Sequence, residues 1–157
     1  MREASLVDGR EPAPRSDRGH RSVPHTADLR VEAWAPTAEG CIGELVHAVV
    51  GSFADLSGAR ISGERACTVL AASDPDLLAG VLEEVIYRMD ADGELPVSLT
   101  LGPVRGLDGA RSVEVRFRMA DTSTAALVGA VPKAVALYGL ELGEGPGGWT
   151  CAATVDV

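Results

Sequence analysis

Two short stretches of this sequence place oxygen donors where they could hold a hard cation. The first is His25-Thr26-Ala27-Asp28, an imidazole, a hydroxyl and a carboxylate directly ahead of a run that alternates as a strand. The second is Asp156-Val157, a side-chain carboxylate followed by a chain-terminal one. With Asp28 brought alongside, these would form an oxygen-rich set, and oxygen ligands favour calcium or magnesium over zinc. Each piece alone has a plainer reading, because Thr and Asp ahead of a strand serve turns and an acidic terminus frays into water. On composition alone the plainer reading stands.

Other candidates carry less chemistry. Asp90-Ala91-Asp92-Gly93-Glu94 begins like an EF-hand loop but lacks the third oxygen ligand and the spacing to a closing Glu, so it reads as a helix exit. The glycine-rich stretch 143–148 has no helix after it to receive a phosphate and reads as a hairpin turn. Glu44 and His47 have the i, i+3 spacing of carboxylate-bridged metal sites, yet no second Glu-x-x-His exists. His47 is expected at a rim, and Glu83 and Glu84 on a solvated helix face. No G-x-S-x-G, P-loop or other nucleophile motif is present, which favours a non-enzyme. Cys41, Cys67 and Cys151 are odd in number and widely spaced, so free thiols are expected rather than zinc ligands or a disulfide framework.

The elements that must position these groups are legible in the apolar spacing. Ile42, Leu45, Val46, Val49, Val50 and Phe53 recur at helical spacing over 38–56, with Thr37 as N-cap and Gly58 beyond the end. A second helix carries Leu77, Leu78, Val81, Leu82, Val85, Ile86 and Met89, with Asp74 as cap, Pro75 at its first position and Gly93 at its exit. Strands are expected over 29–34, 66–70, 95–101, 112–119, 133–142 and 149–155, the fourth placing Val113, Val115, Phe117 and Met119 on one face. These elements predict a single α+β domain over residues 23–157, a mixed, mostly antiparallel sheet covered by two main helices. Residues 1–22, rich in Arg, Asp, Pro, Gly and Ser, are expected to be a flexible tail.

The chain of 157 residues is long enough to bury a sizeable core, with 46% apolar residues and few aromatics. Its formal net charge of −9 repels phosphate backbones, so direct nucleic-acid binding is disfavoured and any RNA connection is expected to run through a protein partner. No apolar run is long enough to span a bilayer, and the N-terminal region lacks the apolar stretch of a signal peptide, which predicts a cytoplasmic location.

Four pieces in order resemble the archease family: HTAD before the first strand, the leucine-rich helix DPDLLAGVLEEVIYRMD, the stretch PKAVALYGLEL, and an end reading WTCAATVDV. The resemblance covers the chain after the tail. It implies a non-catalytic partner of the GTP-dependent ligase of tRNA splicing and RNA repair, stimulating ligase guanylylation and multiple turnover. It also implies a divalent-cation site, with calcium first and magnesium or manganese as substitutes. Carried over, the ligands are Asp28 and Asp156, joined by the Val157 carboxylate; Lys133 matches the family's lysine, and His25 belongs to the same surface. The sequence departs from the family after that lysine, where Thr, an aromatic residue and His give way to Ala136, Leu137 and Tyr138. That departure motivates a second reading, a divergent binding module or chaperone for another RNA-modifying enzyme such as a tRNA methyltransferase. A metal-dependent hydrolase ranks last, since only His25 offers a general base near the cation.

Overall fold

The computed structural model describes residues 17–24 and 28–157. Strands β1 (Gly19–Pro24) and β2 (Asp28–Ala35) lead into helix α1 (Ala38–Gly51). Then come β3 (Ala54–Asp55), β4 (Ile61–Ala71), helix α2 (Asp74–Asp92), β5 (Glu94–Leu101) and β6 (Arg111–Asp121). A 3-10 turn at Thr122–Thr124 precedes β7 (Ala126–Leu127), β8 (Ala134–Val135), β9 (Glu141–Gly145) and β10 (Gly148–Asp156).

The fold is α+β, two helices with antiparallel sheets in one domain, as the apolar spacing predicts. The strands do not form one sheet, however. One sheet has the order β9-β10-β2-β1, with β8 adding to the far end of β10; a second has the order β4-β6-β5; β3 and β7 make a two-stranded ribbon. Alternation along a strand fixes which side chains face inward but not which strands pair, so this partition is set by tertiary packing. Helix α1 lies mainly on β2, with β5 and β10 beside it, and α2 lies on β4, β5 and β6 while reaching β8 and β9. The two helices thus share one core, filled by Ile42, Leu45 and Val49 from α1, Phe53 just beyond it, Leu77, Leu78 and Leu82 from α2, and Val115, Phe117 and Met119 from β6.

The helix boundaries follow from local chemistry. The Thr37 hydroxyl accepts the Gly40 N–H at 3.0 Å and starts α1. The helix ends at Gly51, earlier than its apolar run, because the Ser52 N–H closes back on Ala48 and Val49 and Phe53 then turns into the core. Ser73, not Asp74, caps α2, accepting the Asp76 N–H at 3.3 Å. Asp74 is the first helical residue and instead takes the Arg111 guanidinium at 2.8 Å. Gly93 ends α2 with φ 67°, the left-handed conformation that glycine adopts without a Cβ penalty.

Two further expectations are corrected. Residues 19–22, assigned to a tail, form most of β1, which pairs with β2 from Gly19↔Trp34 to Pro24↔Leu29. The segment lacks apolar residues, but backbone pairing and charge hold it: Arg21 reaches Glu32 at 2.7 Å, and Arg18 and His20 reach Glu44 at 2.6 and 3.0 Å. The rest of the expected tail, residues 1–16, lies outside the described residues. The strand expected over 133–142 is split into β8 and β9, and the intervening loop turns at Gly139, φ 74°. That loop carries Leu137 and Tyr138.

Candidate functional site

Strand β10 is the spine of the site. It is flanked on one side by β2 and on the other by β9 and β8, and its last residues meet both neighbours. In this register Asp156 stands directly opposite Asp28 on β2 and opposite Ala134 on β8. The two aspartates proposed from sequence, 128 positions apart by their numbers, are therefore cross-strand partners. Like charges facing one another across an antiparallel pair are destabilising. Among the described residues the ion pairs lie elsewhere, and neither aspartate faces an Arg or Lys within salt-bridge reach.

The Lys133 N–H donates to the Asp156 carbonyl at 2.7 Å, so the lysine is tied to the site through its main chain. Its exposed side chain lines a surface hollow against α2, with Glu83, Tyr87 and Val135. Val157 follows Asp156 at the strand end and is exposed, at 37%. His25 lies outside the described residues.

Sequence reasoning missed one member. The Tyr138 hydroxyl donates to Asp28 Oδ2 at 2.6 Å. The stretch Ala136-Leu137-Tyr138 reads as the loss of a hydroxyl and an imidazole, yet Tyr138 returns a hydroxyl to the acidic pair. The hydrogen bond to Asp28, then burial and the charges of Asp28 and Asp156, push the phenol above its ordinary range. Arg30 holds the loop in place, donating to the Gly139 carbonyl at 3.1 Å and to Glu141 at 3.2 Å, while the Ala136 N–H bonds to Thr154. The available signal was an aromatic hydroxyl five residues beyond the lysine, but without the register of β10 nothing connected it to Asp28.

Two side-chain carboxylates in register, with a phenol on one of them, are oxygen donors of the kind a hard cation takes. Among the described residues, no three His, Cys, Asp or Glu side chains converge on one point. Beside the acidic pair the surface is apolar: Leu137 is 84% exposed and Tyr138 61%.

The remaining candidates resolve into structure. Glu44 is held by Arg18, just before β1, and by His20 of β1, and not by His47, which is exposed on the rim of a separate hollow with Val50, Leu56 and Pro96. Glu84 pairs with Arg88 at 2.6 Å on α2. Residues 143–148 form the β9–β10 hairpin, with Gly145 opposite Gly148, and 90–94 form the exit of α2. All three cysteines are unbridged. No helix among the described residues is long and apolar enough to cross a membrane.

Residues 20–157 match the family described as "Archease protein family (MTH1598/TM1083)". A "Probable protein archease" of Mycobacterium tuberculosis strain H37Rv is 53% identical over 144 residues, covering 92% of this chain and 78% of that protein. The solution structure of Methanobacterium thermoautotrophicum protein 1598 superposes with a TM-score of 0.74 at 17% identity, covering 88% of this chain and 99% of that one. The crystal structure of an archease from Thermotoga maritima, described as a possible chaperone, gives a TM-score of 0.54 at 13% identity, covering 96% and 100%. The two structures carry the fold and the family match carries the relationship: this chain belongs to the archease family.

Proposed function

We propose that this chain is a non-catalytic accessory protein of a GTP-dependent RNA-splicing ligase and holds a divalent cation, calcium first, through Asp28, Asp156 and the Val157 carboxylate. The observation that carries the reading is the direct opposition of Asp28 and Asp156 beside an exposed apolar loop. A cation there would neutralise facing charges and supply a positive centre at the protein surface. Tyr138 would orient Asp28 through its hydroxyl hydrogen bond, and the Leu137–Tyr138 loop would give a protein partner apolar area to cover. The net charge of −9 favours contact with the ligase protein over its RNA. The accessory protein would act by favouring the ligase conformation competent for nucleotidyl transfer, a population shift without chemistry of its own.

The test counts ligation events per ligase molecule with the RNA ligase of the same organism, GTP and divalent metal, comparing the native chain with Asp28→Ala and Asp156→Ala. Multiple turnover that collapses in both variants supports the reading. Absence of stimulation by the native chain refutes it. The Ala136-Leu137-Tyr138 loop favours one second reading, a partner protein for another RNA-modifying enzyme such as a tRNA methyltransferase. Stimulation or stabilisation of such a methyltransferase, with none of the ligase, would establish that reading instead.

A further inference from the structure

We propose that Cys41 and Cys151 form an intramolecular disulfide when the protein meets a peroxide, tying α1 to the central strand β10. The two residues are 110 positions apart in sequence, yet their Sγ atoms lie 2.9 Å from one another. Both are buried, Cys41 fully and Cys151 at 3% exposure, so each sulfur has the other as its nearest reactive partner. The surrounding contacts fix that orientation: the Cys41 thiol lies 3.5 Å from the Ala33 carbonyl and the Cys151 thiol 3.4 Å from the Cys41 carbonyl. A covalent bond requires approach to about 2.0 Å, a sub-ångström closure that small side-chain rotations supply without moving the helix off the sheet.

The chemistry balances with hydrogen peroxide as oxidant. The Cys41 sulfur attacks the O–O bond, forming S–O and releasing hydroxide, which takes up the thiol proton as water. The Cys151 sulfur then attacks the Cys41 sulfenic sulfur, forming S–S and breaking S–O. The oxygen leaves as a second water, with the Cys151 proton. Two thiols are oxidised and one peroxide is reduced to two waters. The order of attack follows from the pair itself. The hydrogen bond between the two thiols holds Cys41 below the ordinary thiol range, and the same bond, with burial, holds Cys151 above it.

Access is through the sheet edge. Leu142 on β9 stands opposite Cys151, and β9 is a five-residue strand containing Gly143 and Gly145. A short, glycine-containing edge hairpin belongs to the part of a fold that opens most readily. The remaining thiol, Cys67, lies on β4 in the other sheet. Burial, then the nearby Glu84 charge, raises it above the ordinary thiol range.

The experiment uses the full chain in a Cys67→Ser background, reduced and then exposed to hydrogen peroxide. Remaining thiols are alkylated with N-ethylmaleimide after unfolding, and the intact mass is read. The expected product is a monomer lighter by two hydrogens that takes no alkyl group, regains both alkylation sites after dithiothreitol, and melts higher than the reduced form. Cys41→Ala or Cys151→Ala in the same background should abolish the mass change. Two alkylated thiols after peroxide, a sulfinic adduct on Cys41, or a disulfide found only in dimers would each overturn the proposal. The reduced protein's melting curve, taken in parallel, separates any folding defect of a variant from a loss of pairing.

Discussion

If Asp156 holds the proposed cation, replacing it by Asn should have opposite effects with and without calcium, and the size of each can be worked from the register. Directly opposed residues on antiparallel strands have Cβ atoms about 4.5–5.5 Å apart. Two unit charges at about 5 Å repel by about 0.8 kcal/mol in water and about 3 kcal/mol at an effective dielectric of 20. Asp156 is exposed and Asp28 only part-covered, so screening puts the repulsion near the lower figure, about 1 kcal/mol. Asn keeps the shape of the side chain and removes its charge. In the presence of a chelator the Asp156→Asn protein should therefore melt about 2–4 °C above the native chain. With calcium at a hundredfold excess over its Kd, linkage adds about 2.7 kcal/mol to the native chain, a rise of about 5–10 °C, and nothing comparable to the variant. Differential scanning calorimetry in chelator and in calcium gives all four values. A variant that melts below the native chain in chelator refutes the charge repulsion. Equal calcium shifts in both proteins refute Asp156 as a ligand.

Gly80 on α2 faces β4, and a Cβ there would sit 2.5 Å from Val69 Cγ1. Gly80→Ala gains about 1 kcal/mol of helix propensity but incurs about 1–3 kcal/mol of overpacking, so urea titration should show a net loss of about 1 kcal/mol, relieved when Val69→Ala is added. Glu44 is pushed up by burial, but its hydrogen bonds to Arg18 and His20 outweigh this and hold it below the usual carboxylate range. Its contribution is complete above the ordinary Glu value near pH 4.3 and is lost as pH falls through the lower folded value, so the stability gap between native chain and Glu44→Gln should be flat above about pH 5 and narrow below it.

The legible parts of the fold were those decided within a few residues. Thr37, Gly93 and the alternation of Val113, Val115, Phe117 and Met119 each act on their neighbours, and each does what its local chemistry requires. Adjacent capping residues were harder to separate: Ser73 and Asp74 can both accept an N–H, and the Arg111 partner that draws Asp74 away comes from another strand. Strand β1 was illegible because its ordering rests on pairing with β2 and on Arg21, Arg18 and His20, which look like solvated charges in sequence. At the site, the two aspartates came from family resemblance and their opposition from the register. Tyr138 needed the loop geometry, and the contact of Cys41 with Cys151 needed the packing of α1 on β10.

The position of β10 also bears on how the protein comes into being. During synthesis β1, β2 and α1 emerge from the ribosome with the open edge of β2 awaiting a strand that is made more than a hundred residues later. At about 5–20 residues per second this interval lasts about 5–25 seconds, during which that edge has no partner in its own sheet. Such long-range pairing also makes for slow closure once the strand arrives. The nascent chain should therefore depend on α1 to shield the inner face of β2, and its period of greatest exposure to mispairing falls before the final strand leaves the tunnel.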